Sequence, residues 1–290
     1  MLDKTKFYIE GRWVAPIDGA DFPVINPATE DAFATISLGG QKDAEAAIAA
    51  AKAAFPAWSV TSPQTRIGYL EKLLVVYEER SQDMAQAISS EMGAPIDMSL
   101  SDQAGSGRGH LKAFIRALGS VEFQRPLRPG VEGQDVVFEA AGVAALITPW
   151  NWPINQVMLK VGAAIAAGCT MVLKPSEIAP MSSIVFAECI DEAGLPAGVF
   201  NMVNGDGAGV GSLLSAHPDI DVVSFTGSTR AGILISKAAA DTVKTVSLEL
   251  GGKSPNLVFD DCDVAAAVAR GAAFCFNNTG QSCNAASRML

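Results

Sequence analysis

Short β-branched runs alternate with helical segments between Gly142 and Leu250, and this alternation constrains the fold more than any other feature. Because parallel strands need crossover connections, which helices supply, the pattern predicts a doubly wound α/β domain with a parallel sheet. Ligands of such domains bind beyond the carboxyl ends of the strands. The predicted strands are Val143–Ile147, Met171–Leu173, Val199–Val203, Val222–Phe225 and Lys244–Leu248, and the predicted helices are Gln156–Ala167, Ser182–Ala193, Val210–Ala216 and Ala231–Ala240.

The amino-terminal part of the chain reads as extended pieces followed by helices. Residues 7–38 contain short apolar runs, such as Phe7–Ile9 and Ala32–Ile36, that glycine and proline interrupt. An alanine-rich helix is predicted over Lys42–Ala54. We expect it to end at Pro56, since proline removes a backbone donor and breaks helices.

A second helix is predicted after Ser62-Pro63, because apolar residues recur at helical steps between residues 67 and 88. The glycines of Gly105–Gly109 suggest a phosphate loop, but no apolar strand precedes them and the third fingerprint glycine is missing. We therefore predict a flexible turn between helices there. The segment Gln124–Gln134 is rich in proline and glycine and marks a boundary, ahead of a predicted hairpin at Asp135–Glu139.

The composition favours a globular protein that binds a small molecule. With 290 residues and 49% hydrophobic content, the chain can bury a sizeable core. Its formal charge of -10 argues against nucleic-acid binding, which needs clustered lysine and arginine. The amino terminus lacks an apolar signal segment, and no run of about 18 apolar residues occurs. We expect a cytoplasmic protein with no membrane partner.

Five cysteines and two histidines limit the redox and metal chemistry. The cysteines are odd in number and lie outside any C-x-x-C spacing, so we expect neither a disulfide framework nor a metal site. Cys283 stands apart, because an apolar helical run, Val264–Phe276, and a polar turn, Asn277–Gln281, lead directly to it. A thiol exposed there can act as a nucleophile. The alternative is one more small buried hydrophobe. The other cysteines are Cys169, Cys189, Cys262 and Cys275.

Polar residues follow the first two predicted strands of the sheet. Asn151 lies in a stiff loop with two prolines and two tryptophans, and its amide offers a neutral donor suited to an oxyanion hole. Alternatively, Asn151 caps the following helix. Lys174 and Glu177 can hold the ribose of a dinucleotide, or they form a solvated ion pair.

The later strand ends carry glycines and a carboxylate. Thr226–Gly232 leads into a helix, whose amino terminus favours phosphate. Gly205–Gly209 permits close approach of a ligand, or forms a simple turn. Glu249 lies between two leucines beside a Gly-Gly turn, and apolar surroundings there would suit a general base. The alternative is a carboxylate at a strand end that faces water.

The joint order of these segments resembles the NAD(P)-dependent aldehyde dehydrogenases. The most specific parts are Leu-Glu-Leu-Gly-Gly-Lys-Ser-Pro around Glu249 and Phe-x-Asn-x-Gly-Gln-Ser-Cys ending at Cys283, and the resemblance runs from Phe7 to the end of the chain. It implies a Rossmann-like NAD-binding domain at residues 1–123 and 140–250. It also implies an oligomerisation hairpin at 124–139 and the start of an incomplete catalytic domain at 251–290.

By this resemblance, the chain oxidises an aldehyde to a carboxylic acid through a thioester on Cys283. Asn151 and the backbone N–H of Cys283 would hold the oxyanion, and Glu249 would activate the water that hydrolyses the thioester. Lys160 corresponds to a lysine implicated in proton relay in the family.

The resemblance also implies a coenzyme site. Lys174 and Glu177 would lie at the adenosine ribose, Gly207 near the adenine, and Gly227 with Ser228 at the pyrophosphate. Because Glu177 would repel a 2'-phosphate, we expect NAD to be preferred over NADP. The other residues expected at the coenzyme are Ile147, Thr148, Pro149, Trp150, Ser176, Phe225 and Leu250.

Members of the family continue for most of a catalytic domain beyond the nucleophile, whereas this sequence stops at Leu290. We therefore expect weak coenzyme binding and little turnover from the chain by itself. A homo-oligomer is expected from the family, although the hairpin would lose its partner surface. The alternative function is a catalytically inactive dinucleotide-binding or interaction module.

Overall fold

A parallel sheet with helices on both faces forms the body of the protein. The computed structural model describes residues 1–130 and 133–290. The strands are β1 (Leu2–Lys4), β2 (Phe7–Ile9), β3 (Arg12–Val14), β4 (Ala20–Ile25), β5 (Ala32–Leu38), β6 (Gln124–Pro126), β7 (Asp135–Val137), β8 (Val143–Ile147), β9 (Thr170–Lys174), β10 (Phe200–Met202), β11 (Val222–Gly227), β12 (Thr245–Leu250), β13 (Pro255–Asn256) and β14 (Arg288–Met289).

The helices account for most of the remaining regular structure. Two π-helical segments, Ser99–Ala104 and Gly207–Gly211, and a 3₁₀ turn, Asn277–Gly280, adjoin them. The helices are α1 (Gln41–Ser59), α2 (Pro63–Glu79), α3 (Ser81–Met92), α4 (Ile96–Met98), α5 (Gly105–Leu118), α6 (Pro153–Ala167), α7 (Met181–Glu192), α8 (Ser212–Ala216), α9 (Thr229–Ala240) and α10 (Val264–Phe276).

The main sheet has seven strands in the order β12-β11-β8-β9-β10-β2-β3. The first five are mutually parallel, as the alternating pattern predicted, and β2 and β3 join antiparallel at the edge. The chain runs outward from β8 through β9 to β10 and then returns to β11 on the other side of β8. The predicted doubly wound α/β fold is confirmed, with its topological switch point between β8 and β11.

Two apolar cores hold the layers together, one on each face of the sheet. One core packs α6 and α7, with α2, α3 and α5 behind them, and includes Leu146, Val161 and Phe186. The other packs α1, α8 and α9 and includes Ile48 and Val223. Strands β8 and β9 are buried along their whole length, because helices cover both of their faces.

The predicted hairpin is present as β6 paired antiparallel with β7, largely exposed and separate from the main sheet. Residues 131 and 132 of the range 124–139 lie outside the described residues. A three-stranded sheet, β1-β5-β4, and a short β13-β14 pair complete the architecture. Within the described part of the chain, the helices are too short or too polar to cross a bilayer.

The expectation that Pro56 ends the first helix is wrong, since α1 continues to Ser59 with Pro56 inside it. The extension places Trp58 in the core, where it is only 2% exposed and its ring centroid lies 5.7 Å from that of Tyr69. Burial of a large aromatic side chain stabilises by about 1.5–3 kcal/mol, which offsets a lost backbone hydrogen bond in the last turn.

The single helix predicted after Ser62-Pro63 is two helices, because the chain breaks at Arg80 between α2 and α3. Ser62 does cap α2, since its hydroxyl accepts a hydrogen bond from the backbone N–H of Thr65 at 3.1 Å. The cap and Pro63 at the first helical position explain why the predicted start is confirmed.

The flexible turn predicted at Gly105–Gly109 is also wrong, since these residues form the first turns of α5. Gly107 is buried against Tyr77, and a Cβ there would overlap the Tyr77 hydroxyl. That hydroxyl donates a 2.8 Å hydrogen bond to the carbonyl of Ala104. The glycine therefore serves close packing of α5 on α2.

This packing predicts that alanine substitutions at two neighbouring glycines change the free energy of unfolding in opposite directions. Gly107→Ala is expected to lower the free energy of unfolding by about 1–3 kcal/mol, because the new methyl group meets Tyr77. Gly109→Ala, on the same helix with open space where its Cβ would lie, is expected to raise it by up to ~1 kcal/mol. Urea unfolding measures both. Adding Tyr77→Phe to Gly107→Ala should recover part of the loss, and strictly additive losses would contradict the packing argument.

Candidate functional site

The carboxyl ends of β9, β8 and β11 bring three separate segments of the chain together. Ile147 lies opposite Lys174 in β9 and opposite Phe225 in β11, so β8 ends between them. Gly227 at the end of β11 in turn lies opposite Leu250 of β12. These strand ends hold most of the residues predicted to contact the coenzyme, at the switch point where such folds bind ligands.

Lys174 and Glu177 form an ion pair that is more buried than the solvated alternative. The Lys174 Nζ donates to Glu177 Oε2 at 3.0 Å, and the lysine is only 3% exposed. Burial lowers the pKa of Lys174, and the charges of Glu177 and Asp206 partly oppose this. Because the Glu177 side chain keeps 27% of its surface exposed, its carboxylate remains accessible to a ligand.

Thr148 carries a buried hydroxyl without a hydrogen-bond partner among the described residues. Its backbone N–H donates to the carbonyl of Lys174 at 3.1 Å, which ties the loop after β8 to β9. Ser176, also buried, accepts from the backbone N–H of Ile178 at 3.4 Å. The orphaned Thr148 hydroxyl is a polar group available to a ligand at this edge.

The two glycine-containing loops, after β11 and after β10, differ in their structural roles. Ser228 caps α9 by accepting from the backbone N–H of Ala231 at 3.2 Å, which sets up the helix amino terminus. A Cβ on Gly227 would overlap the ring of Phe225, so packing within the chain requires this glycine. Gly207 instead has open space where a Cβ would lie, at the start of a π-helical turn that Asp206 caps.

The loop after β8 is hydrogen-bonded to the segment that precedes Cys283. Asn151 Nδ2 donates to the carbonyl of Gln281 at 2.5 Å, and Asn278 Nδ2 donates back to the carbonyl of Asn151 at 2.9 Å. Trp152 Nε1 donates to Ser282 Oγ at 2.9 Å. Three contacts therefore hold the Asn151 amide beside the residues immediately before the cysteine.

The alternative interpretation of Asn151 as a helix cap is wrong. Trp152 is the N-cap residue of α6, without a side-chain cap, and Pro153 follows at the first helical position. The Asn151 side chain reaches across to Gln281 instead and retains a second amide hydrogen. An uncharged donor held in this way keeps its orientation at any pH.

Cys283 is half-buried, which contradicts the alternative that it is another buried hydrophobe. The 3₁₀ turn before it contains Asn278 and Thr279 at φ of 53° and 54°, in the left-handed region. Gly271 is the only buried residue of α10, so the apolar helical run before Cys283 lies largely exposed. The strained turn ends α10 and delivers Cys283 to the Asn151 loop.

Glu249 lies on the exposed face of β12, so the apolar surroundings expected for it are wrong. Side chains alternate along a strand, and the flanking Leu248 and Leu250 point to the opposite face, towards α9. Glu249 shares a groove of about 490 Å³ with Lys160, Ser224 and Ser247, between α6 and the sheet edge. Glu249 therefore faces water near the end of its strand, as the alternative interpretation of the sequence stated.

Lys160 is buried within the same groove. It is 8% exposed, and its Nζ donates to Ser224 Oγ at 3.0 Å. Burial lowers the pKa of Lys160 to about 8, and the nearby charge of Glu249 partly opposes the shift. An amine in this range exchanges its proton near neutral pH.

Several site residues escaped the sequence analysis. Gln103 donates to the carbonyl of Asn151 at 3.2 Å, and Gln156 accepts from the hydroxyl of Thr226 at 3.0 Å. Gln103 lies in the π-helical segment before α5 and Gln156 lies in α6, and the sequence pattern of neither segment singles these residues out. Asn278 was visible within the polar turn before Cys283, but its bond to Asn151 depends on the fold. Within the described residues no group of three or more ligands suits a metal ion.

Comparison with known proteins places these segments in a family. A model of the aldehyde dehydrogenase family matches residues 13–290. A 3-succinoylsemialdehyde-pyridine dehydrogenase of Pseudomonas is 52% identical over the whole chain, which spans 60% of that relative. The chain thus covers about 60% of the length of the relatives it matches.

Solved structures give the same result. An aldehyde dehydrogenase from Bartonella henselae is 58% identical with a TM-score of 0.97, over 100% of this chain and 60% of the other. A mutant aldehyde dehydrogenase C from Pseudomonas syringae, complexed with NAD+ and octanal, is 49% identical with a TM-score of 0.95, over 98% and 58%. A point mutant of betaine aldehyde dehydrogenase from Staphylococcus aureus in complex with NAD+ is 34% identical with a TM-score of 0.93, over 99% and 58%.

Substitution of the buried Lys160 is expected to raise the free energy of unfolding by an amount that depends on pH. Its folded-state pKa of about 8 lies below the ordinary 10.5, so burial of the charged form destabilises the fold at pH 7. Lys160→Met is expected to raise the free energy of unfolding there by roughly 2 kcal/mol, after the lost hydrogen bond is subtracted. The gain should be full below pH 8 and shrink towards pH 10.5, because the wild-type lysine deprotonates in the folded state first.

Urea unfolding at a series of pH values measures this gain. Lys237→Met, at an exposed position of α9, serves as the control and should show no such dependence. A Lys160→Met effect that is constant across the whole pH range would contradict the assigned pKa.

Proposed function

The chain belongs to the aldehyde dehydrogenase family, and from that premise we propose that it oxidises an aldehyde to a carboxylic acid with NAD. The observation that carries the proposal is the set of hydrogen bonds between the Asn151 loop and Gln281-Ser282, next to Cys283. A thiol nucleophile and a fixed amide donor side by side are what attack on a carbonyl requires. Since the chain spans 60% of its relatives, the activity is proposed for the protein that carries this sequence.

We propose that Cys283 adds to the aldehyde carbonyl, giving a thiohemiacetal. The second amide hydrogen of Asn151 and the backbone N–H of Cys283 would stabilise the oxyanion. Bound NAD supplies the acceptor for the hydride that leaves as the thioester forms. Glu249, in its water-exposed groove, would activate water to hydrolyse the thioester, releasing the acid and restoring the thiol.

Lys160 is proposed to carry protons between the groove and solvent. Its pKa of about 8 allows gain and loss of a proton near neutral pH, and Glu249 contributes to its electrostatic surroundings. The hydrogen bond from Nζ to Ser224 Oγ orients the amine. The lysine therefore suits a relay that removes the proton released when thiol and water react.

The residues at the switch point fit a dinucleotide. Thr148 contributes a buried hydroxyl without a partner among the described residues, and the open space beside Gly207 admits a ligand close to the backbone. The amino terminus of α9 at Ser228 favours a pyrophosphate, and the partly exposed Glu177 would accept from ribose hydroxyls. The walls around it would come from Ile147, Pro149, Trp150, Phe225 and Leu250.

The proposed division of the chain follows the sheets. Residues 1–123 and 140–250 would form the NAD-binding domain, which is supported by β2 and β3 completing the main sheet. Residues 251–290 would start the catalytic domain. The exposed β6-β7 hairpin would mediate a homo-oligomer, since unpaired strand edges pair readily with another chain.

Cys283→Ala is expected to abolish NADH formation, because the proposed attack on the carbonyl needs this thiol beside the Asn151 loop. The assay follows NADH absorbance with octanal, the aldehyde of the Pseudomonas syringae complex, and NAD. Cys275→Ala, the half-buried cysteine of α10, should retain activity as the matched control. Asn151→Ala should lower the rate by about 10²–10³-fold.

NADH formation that survives Cys283→Ala would contradict the proposed nucleophile. Saturable NAD binding with no thioester on Cys283, detected by mass spectrometry after addition of octanal and NAD, would favour the alternative of an inactive dinucleotide-binding module. The exposed side chains of Phe259, Phe274 and Phe276 favour this alternative, because they leave an apolar surface around the cysteine segment open to water.

Glu177→Gln is expected to weaken NAD binding and reduce discrimination against NADP. The wild-type carboxylate accepts charge-assisted hydrogen bonds from ribose hydroxyls and repels a 2'-phosphate, so its neutralisation should cost about 10-fold in NAD affinity. Fluorescence titration with both coenzymes gives the ratio. Glu192→Gln, at the exposed end of α7, is the control, and a wild-type preference for NADP would refute the assignment.

A further inference from the structure

An arginine whose buried Nε lacks a hydrogen-bond partner lies near the amino ends of β8 and β9, at the end of the sheet away from the proposed active site. Arg66 of α2 is 4% exposed, and its Nε is buried without a hydrogen bond. Among the described residues it takes part in no ion pair, and its side chain makes no hydrogen bond. A buried cation of this kind normally has an acceptor.

The neighbours of Arg66 interact with the face of its guanidinium group but do not accept hydrogen bonds from its edge. Its Cζ lies 4.9 Å from the centroid of the Phe123 ring, a cation–π contact. Gly168 ends α6 so closely beneath it that a Cβ there would overlap Nη1. The carboxyl end of α6 contributes partial negative charge, but no carbonyl of the described residues accepts from the guanidinium. The in-plane N–H groups therefore lack an acceptor within this part of the chain.

A cavity of about 490 Å³ adjoins these groups. Ser59 and Thr61 line it, but their hydroxyls donate to the carbonyls of Pro56 and Trp58. The amino terminus of α2 also lies there, and its dipole favours negative charge. Positive groups therefore converge on a space large enough for a small molecule.

One carboxylate lines the same cavity. Glu139, next to the β6-β7 hairpin, is exposed and lies beyond ion-pair distance of Arg66. Its carboxylate would compete with an anion that enters the cavity. Burial lowers the pKa of Arg66, yet an arginine stays protonated at neutral pH, so the charge cannot be removed by titration.

We propose that this cavity binds a small oxyanion, a carboxylate or a phosphate, held in the plane of the Arg66 guanidinium. The planar fork of arginine matches two oxygens of such a group, which would satisfy the N–H groups that lack an acceptor. The site lies at the start of β8 and β9, away from Cys283 and the switch point, and does not depend on the proposed function.

Inorganic phosphate and acetate are the probes, titrated against the 290-residue chain while thermal unfolding is followed, with sodium chloride at matched ionic strength. Both probes are expected to raise Tm saturably, with a Kd on the order of 1 mM. Arg66→Gln should weaken this binding by at least about 10-fold. Arg108→Gln, an exposed arginine of α5 without an ion pair among the described residues, should leave it unchanged.

Two further variants keep the test valid if Arg66→Gln does not fold. Glu139→Gln removes the competing carboxylate and should tighten phosphate binding. Ser59→Asp places a carboxylate in the cavity and is expected to raise Tm and abolish the response to phosphate. A response to phosphate that persists at full strength in Ser59→Asp would overturn the proposal.

Phosphate could also bind at the amino terminus of α9, where the pyrophosphate of NAD is proposed to lie. The two sites are separated by their response to NAD. A shift that survives Arg66→Gln and disappears on addition of NAD belongs to the coenzyme site and overturns the Arg66 proposal. Absence of any saturable shift in the wild type does the same.

Discussion

Hydrogen bonds between the loop after β8 and the turn before Cys283 join parts of the chain 130 residues apart. Since β8 is the central one of the five parallel strands, its carboxyl end fixes where the Asn151 loop lies. The turn at Asn278 then fixes Gln281 and Ser282 against that loop. The position of the cysteine relative to the coenzyme side of the fold depends on these contacts, since α10 itself is little buried.

The alternating region could be predicted because each strand and helix there carries its own signal. β-branched runs and helical stretches of ordinary length identify the five parallel strands, and their order along the chain implies crossovers. Pro56 and Gly107 were misjudged for the opposite reason. The helical state of each depends on a distant partner, which no local propensity contains. The partner is Tyr69, packed at a tilt against Trp58, in the first case and Tyr77 in the second.

The residues of the candidate site also divide into those that the sequence indicated and those that only the fold brings into place. Motif order alone indicated Cys283, Asn151 and the Lys174–Glu177 pair, since each follows a strand or helix that could be recognised. The environment of Glu249 could not be inferred from its leucine neighbours, because a strand sends adjacent side chains to opposite faces. Likewise, Gln103 and Ser224 join the site only through tertiary packing.

Three buried cationic side chains differ in how their charge is compensated. Lys174 has a carboxylate at 3.0 Å, so its charge is compensated within the chain. Lys160 has a hydroxyl and a more distant carboxylate, and its lowered pKa allows it to become neutral. Arg66 has an aromatic face and a helix end but cannot lose its proton at physiological pH. Because a buried charge is normally paired or neutralised, the arginine is the one of the three whose charge the proposed oxyanion would compensate.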